Sequence, residues 1–178
     1  MKKSVLLLFF AGCVATGIFG IGRKIPMNRV NDLGQREGYW RDSVGGGFVY
    51  DLYYKGGKKD GLYKRFYRNK LFLFGEYTAD NMSGTWYMFG DEGELRCTID
   101  SIEFNKDSIY TGYPCCRIFC KYKCHSIDYY PSGAVKSEGY MVCDEEFEIE
   151  IWEIGEWKYY DESGNLIKTK DYGDRRTP

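Results

Sequence analysis

The sequence predicts an all-β fold, one elongated antiparallel sheet of repeated β-hairpins, and three observations predict it. Aromatic residues fill 18% of the 178 positions, with Tyr 17, Phe 11 and Trp 4, and Gly is 22. Rings suit a pleated, half-buried surface, and glycine accepts the positive φ of tight turns. No segment after residue 30 keeps a 3.6-residue apolar period beyond two turns, which argues against helices. Gly-x-aromatic units also recur at a fixed interval: Gly38-Tyr39-Trp40, Gly61-Leu62-Tyr63 and Gly84-Thr85-Trp86 stand 23 residues apart.

The N-terminus bears on the compartment. Met1-Lys2-Lys3 is a basic start, Val5 to Phe10 an apolar run, and Ala11-Gly12-Cys13 follow, the pattern of a secretory signal. Small residues before a cysteine resemble the bacterial lipobox, in which the cysteine is lipidated and becomes the mature N-terminus. Phe10 departs from that pattern, which prefers Leu. Residues 1–13 therefore read as a signal peptide with Cys13 as the lipidation site, and 14–30 as a tether in which Pro26 opposes continuous helix. Ser4 to Gly22 carries no charge over 19 residues and is long enough to span a bilayer as an uncleaved anchor, although four glycines weaken it as a helix. Cleavage to a soluble form is the third alternative. Each places the folded part, residues 31–178, outside the cytoplasm or at a membrane, in the cell envelope. Net charge is −1 and falls to −3 if Lys2 and Lys3 leave with the signal. A chain so nearly neutral lacks the clustered cations that nucleic acid demands.

A fuller repeat template emerges downstream. Gly84, Trp86, Phe89, Gly93 and Leu95 recur at the same offsets as Gly155, Trp157, Tyr160, Gly164 and Leu166. A weaker copy has Tyr129, Gly133 and Val135, with Cys124 in place of the first glycine, and in the second unit Phe66 fits before a turn one residue shorter. Each unit reads as a short strand, a hairpin loop whose late glycine is left-handed, and a second strand starting at the aliphatic position. A lone hairpin is marginal in water, so the units must stand side by side and bury a shared aromatic face. The tryptophans are then core, with a stacking platform for sugars as the alternative.

This period, with its Gly-x-Trp/Tyr start and glycine turn, resembles the MORN repeat, and most of all the bacterial variant sometimes called antitoxin-like. The resemblance covers about residues 31–96 and 122–172. It implies an elongated antiparallel sheet and a binding or scaffolding role, with no catalytic residues and no cofactor. The expected function is thus a membrane-tethered module that holds an envelope protein or a glycan. An antitoxin-like immunity protein is the alternative, and a carboxylate-dependent hydrolase a distant third.

Residues 97–123 break the period as an insertion, expected as an extra strand or loop. They hold four of the six cysteines that follow Cys13, namely Cys97, Cys115, Cys116 and Cys120, the other two being Cys124 and Cys143. An even count in an exported chain points to disulfides, in 15 connectivities that spacing does not separate; buried free thiols and a metal site are the alternatives. Read as a strand, CRIFCKYKC puts Cys116, Cys120 and Cys124 on one face but too far apart to share a zinc ion. The lone His125 reads as a turn-side polar residue. Asp144 to Glu156 holds seven acids, with Glu146, Glu148 and Glu150 on one strand face, read as solvated. That strand is expected to pair near the basic segment Arg117–Lys123, because opposite charges across a sheet attract. Asp42-Ser43-Val44, Asp100-Ser101-Ile102 and Asp107-Ser108-Ile109 resemble an O-glycosylation acceptor triplet.

Overall fold

The computed structural model describes residues 26–106, 110–111, 118–145 and 152–173. Among them there is no α-helix, and eleven strands form one antiparallel sheet. They are β1 (Arg29–Val30), β2 (Arg36–Ser43), β3 (Phe48–Lys55), β4 (Lys58–Tyr67), β5 (Lys70–Thr78), β6 (Asn81–Phe89), β7 (Leu95–Phe104), β10 (Tyr122–Tyr129), β11 (Val135–Cys143), β12 (Trp152–Tyr160) and β13 (Leu166–Asp171). A separate two-stranded pair, β8 (Tyr110–Thr111) and β9 (Ile118–Phe119), lies between β7 and β10 in the chain. Spatial order in the large sheet is sequence order, β7 and β10 being neighbours. The all-β expectation stands.

Turn chemistry sets the hairpins. Residues 31–35, 90–94, 130–134 and 161–165 adopt one loop. In each, the first N–H donates to the fifth carbonyl, and the fourth residue's N–H donates back to the first carbonyl. The fourth residue is Gly34, Gly93, Gly133 or Gly164, with φ between 72° and 86°. Asn31 and Asp161 tighten two of the loops by accepting backbone N–H bonds on Oδ1. The next strand begins at the aliphatic position the template marks, at Leu95, Val135 and Leu166. Three more hairpins use two-residue turns at Gly56-Gly57, Arg68-Asn69 and Ala79-Asp80, all with positive φ at both positions, and the β2–β3 loop runs through Gly45, Gly46 and Gly47. Positive φ at both turn positions matches the right-handed twist of the flanking strands. Gly93→Ala should destabilise by about 1 kcal/mol, because a Cβ there meets no neighbour and only the left-handed backbone resists it; a urea midpoint equal to wild type would contradict this.

One face of the sheet is the core. It gathers Leu52, Tyr63, Leu73, Tyr77, Met82, Trp86, Cys97, Ile99, Tyr122, Cys124, Met141, Cys143 and Trp157 into a single cluster. A single layer can bury one face only by curling over it, and two contacts show that curl. The Tyr122 hydroxyl accepts the Met82 N–H at 3.1 Å, reaching across β7. Lys59 Nζ at the start of β4 lies 3.8 Å from Glu145 Oε2, just past β11. Five strand spacings separate β4 from β11, roughly 24 Å in a flat sheet. The same Glu145 also holds Lys121. This ionic cluster closes one end of a concave trough.

Several expectations are corrected. The described strand of the acidic segment pairs with β11 and not with the basic segment. β11 lies between β10 and β12, and Trp152, Glu153 and Ile154 pair with Val142, Met141 and Tyr140. The two segments still meet through one ion pair, Glu145 with Lys121, and Glu145 also reaches Lys59. Glu146, Glu148 and Glu150 lie outside the described residues. The segment around Cys120 is not one alternating strand, because the chain bends at Lys121. Asn105 holds that bend: its N–H donates to the Lys121 carbonyl and its side-chain amide to the Cys120 carbonyl. Cys120 therefore packs with Val142 and Ile154 under Trp152, apart from Cys124 in the main cluster. Nor is His125 at a turn. It sits inside β10, 3.5 Å from Asp100 and edge-on to Tyr140. Regular sheet also runs through Phe104, so the break from the hairpin pattern is narrower than residues 97–123.

Candidate functional site: a concave cleft

The repeat glycines build the site. Gly38, Gly61, Gly84 and Gly155 are all left-handed, with φ 74°, 124°, 65° and 60°. At Gly84 the register slips: Phe74 pairs Tyr87 and Glu76 pairs Ser83, so a bulge stands opposite Gly75. At Gly155 the slip is the same, Glu138 pairing Lys158 and Tyr140 pairing Ile154, with the bulge opposite Gly139. An extra residue bends a strand and re-aims its side chain. Here it lays the tryptophan over the neighbouring strand's glycine. A Cβ on Gly75 would stand 2.1 Å from Trp86 Cδ2, and one on Gly139 2.5 Å from Trp157. Each indole N–H donates to a main-chain carbonyl, Ser83 for Trp86 and Tyr140 for Trp157.

Trp86 and Trp157 thus occupy matched settings, both buried, and act as core. Tyr63 fills the same place in the second unit, fully buried, with ring centroids 5.4 Å from Trp86 and 5.7 Å from Tyr77. Trp40 is only partly buried and hydrogen-bonds to Arg29 and Glu37, beneath the Arg36 guanidinium. Phe89 and Tyr160 sit at the strand ends beside the loops, and the Tyr160 hydroxyl donates to Glu138. In the unit where Cys124 replaces the glycine, the bulge moves to β7. Register there slips between Glu103 and Asp100, and Ser101 takes φ 51°. The glycines missed from sequence are Gly75 and Gly139. Their signal was present, since glycine inside a strand marks a close approach.

Where Lys59, Lys121 and Glu145 close one end of the trough, the other end opens into a cleft of about 480 Å³. Phe72, Met88, Ile99, Met141 and Trp157 form its apolar lining, while Arg96, Lys136, Asp128 and Glu153 add both signs of charge. Asp128 accepts a 2.7 Å hydrogen bond from Ser137. Cys97 also reaches the cleft, its sulfur 3.2 Å from Ser126 Oγ. Burial pushes that thiol up to about 12, helped by the nearby Asp128 charge and opposed by the Ser126 contact. A thiol so seldom ionised is a poor nucleophile. Beside the cleft Tyr159 and Tyr172 share a 2.7 Å hydrogen bond, and burial with that bond raises the Tyr159 phenol. Apolar walls with a few convergent charges form a binding geometry.

The described cysteines, Cys97, Cys120, Cys124 and Cys143, are all buried and present as thiols. Cys120 and Cys124 sit in separate clusters and cannot share an ion. Cys13, Cys115, Cys116 and the triplet at residues 107–109 lie outside the described residues. Ser43 and Ser101 of the other triplets are exposed.

No family model matches this chain, and no curated protein matches it.

Proposed function

We propose that this chain is an exported, lipid-anchored binding module of the cell envelope, built from MORN-like hairpins, and that its concave cleft holds an envelope protein segment or a glycan. One observation carries the reading. The trough is closed at one end by an ionic cluster and open at the other, where apolar side chains and charges of both signs meet. Rings and methionines supply contact area, and Arg96, Lys136, Asp128 and Glu153 supply orientation. The N-terminal signal with Cys13 is what places the module at a membrane, through a lipid or an uncleaved anchor.

The test separates ligand from anchor. Wild-type chain and a K136E/R96E variant, reversing two cleft cations, are presented to a glycan array and to solubilised envelope with a photo-crosslinker. At least a tenfold loss of capture in the variant is expected for whichever class binds, and equal capture by both proteins would reject the cleft. Palmitate labelling that disappears in Cys13→Ser, with release from the membrane fraction, would support the lipid anchor.

A further inference from the structure

We propose that Cys124 and Cys143 are joined by a disulfide in the mature protein. Their sulfurs lie 3.5 Å apart on adjacent strands, both side chains fully buried on the core face. Register makes them a diagonal pair: Cys124 stands opposite Met141, and Cys143 opposite Tyr122. Diagonal neighbours in a sheet have Cα atoms about 7–8 Å apart, just beyond the roughly 4.4–6.8 Å that a disulfide usually spans. Bonding at ~2.05 Å therefore requires the strands to draw together slightly. This is the place that can give, because Cys143 ends β11 and the chain bends at Lys121, one residue before β10 begins.

Among the described cysteines the other pairings are worse placed. The Cys97 sulfur is engaged with Ser126, and Cys120 packs in the other cluster with Val142 and Ile154. The chemistry is thiol–disulfide exchange with a small or protein disulfide as oxidant. One cysteine thiolate attacks that disulfide, giving a mixed disulfide and releasing one thiol. The second cysteine, once deprotonated, displaces the other half as a second thiol. Both cysteines are oxidised, the partner disulfide is reduced, and the two protons end on its thiols. In the folded chain the contact with Cys143 and burial hold the Cys124 thiol protonated, so the bond forms while β10 and β11 are still closing. An oxidising compartment rests on the export reading, whereas the pairing itself does not.

Trypsin makes the test direct. Cleavage after Arg96, Lys106, Lys121, Lys123, Lys136 and Lys158 puts Cys97, Cys124 and Cys143 in separate single-cysteine peptides, 97–106, 124–136 and 137–158. The full chain, reduced and denatured, is folded in a glutathione buffer, quenched with acid, alkylated in denaturant and digested without reductant. Peptides 124–136 and 137–158 are expected as one species, two hydrogens lighter than their sum, in most of the folded chains. Alkylation of both cysteines overturns the proposal, as does linkage of either to another peptide. The same digest on protein recovered from its native envelope reports on the compartment: linkage in the buffer with free thiols in the cell would overturn the export reading and leave the pairing intact.

Discussion

Gly75→Ala is expected to be among the most damaging single substitutions in the chain, costing about 3 kcal/mol of stability. An added methyl at 2.1 Å from Trp86 Cδ2 cannot be absorbed by a small rotation. The indole is fully buried between Tyr63 and Tyr77, with centroids at 5.4 and 5.3 Å, and its N–H is held by the Ser83 carbonyl. The strand, the ring or the bulge at Gly84 must move. Urea denaturation of Gly75→Ala, Trp86→Leu and the double variant measures this. If the clash is the cause, the double variant is less destabilised than the sum of the singles by about 1–2 kcal/mol. Additive losses would show that Gly75 matters for some other reason.

The second large effect is Trp86→Ala, expected to cost about 4 kcal/mol through lost burial and the cavity left among Tyr63, Tyr77 and Ile99. Trp157→Ala should cost less, because its ring partners Tyr159 and Tyr172 are only partly buried and lie near the edge strand β13. Trp40→Ala should be the mildest, since that ring is half-covered. Chemical denaturation followed by far-ultraviolet circular dichroism ranks the three. A Trp40→Ala loss as large as that of Trp86→Ala would contradict the partial burial assigned to Trp40.

Much of this fold was legible in the chain, because its determinants are local. A left-handed glycine at a fixed place in a five-residue loop, and an aliphatic residue opening the next strand, depend on neighbours in sequence alone. Gly93, Gly133 and Gly164, with the starts at Leu95, Val135 and Leu166, are of this kind. What stayed hidden depends on approach in space. Gly75 and Gly139 are small because an indole from the next strand lies on them. Cys120 left its expected face because a buried asparagine fifteen residues earlier holds the chain in a bend. Glu145 reached Lys59 only because the sheet curls. A strand alternation read off CRIFCKYKC has no means of sensing Asn105. The cleft belongs to the same class: its lining comes from strands β5 to β12, and no short segment contains it.

In the large sheet every strand but one pair is bonded to its immediate predecessor in the chain. Such an order suits a polypeptide that emerges one end first. Hairpins at residues 36–55 and 58–78 can zip as they emerge, and each new strand docks on an edge already waiting. The clasp of Lys59 with Glu145 needs a late arrival, so the trough takes its full curl only after β11 has joined, when the greater part of the sheet is already paired.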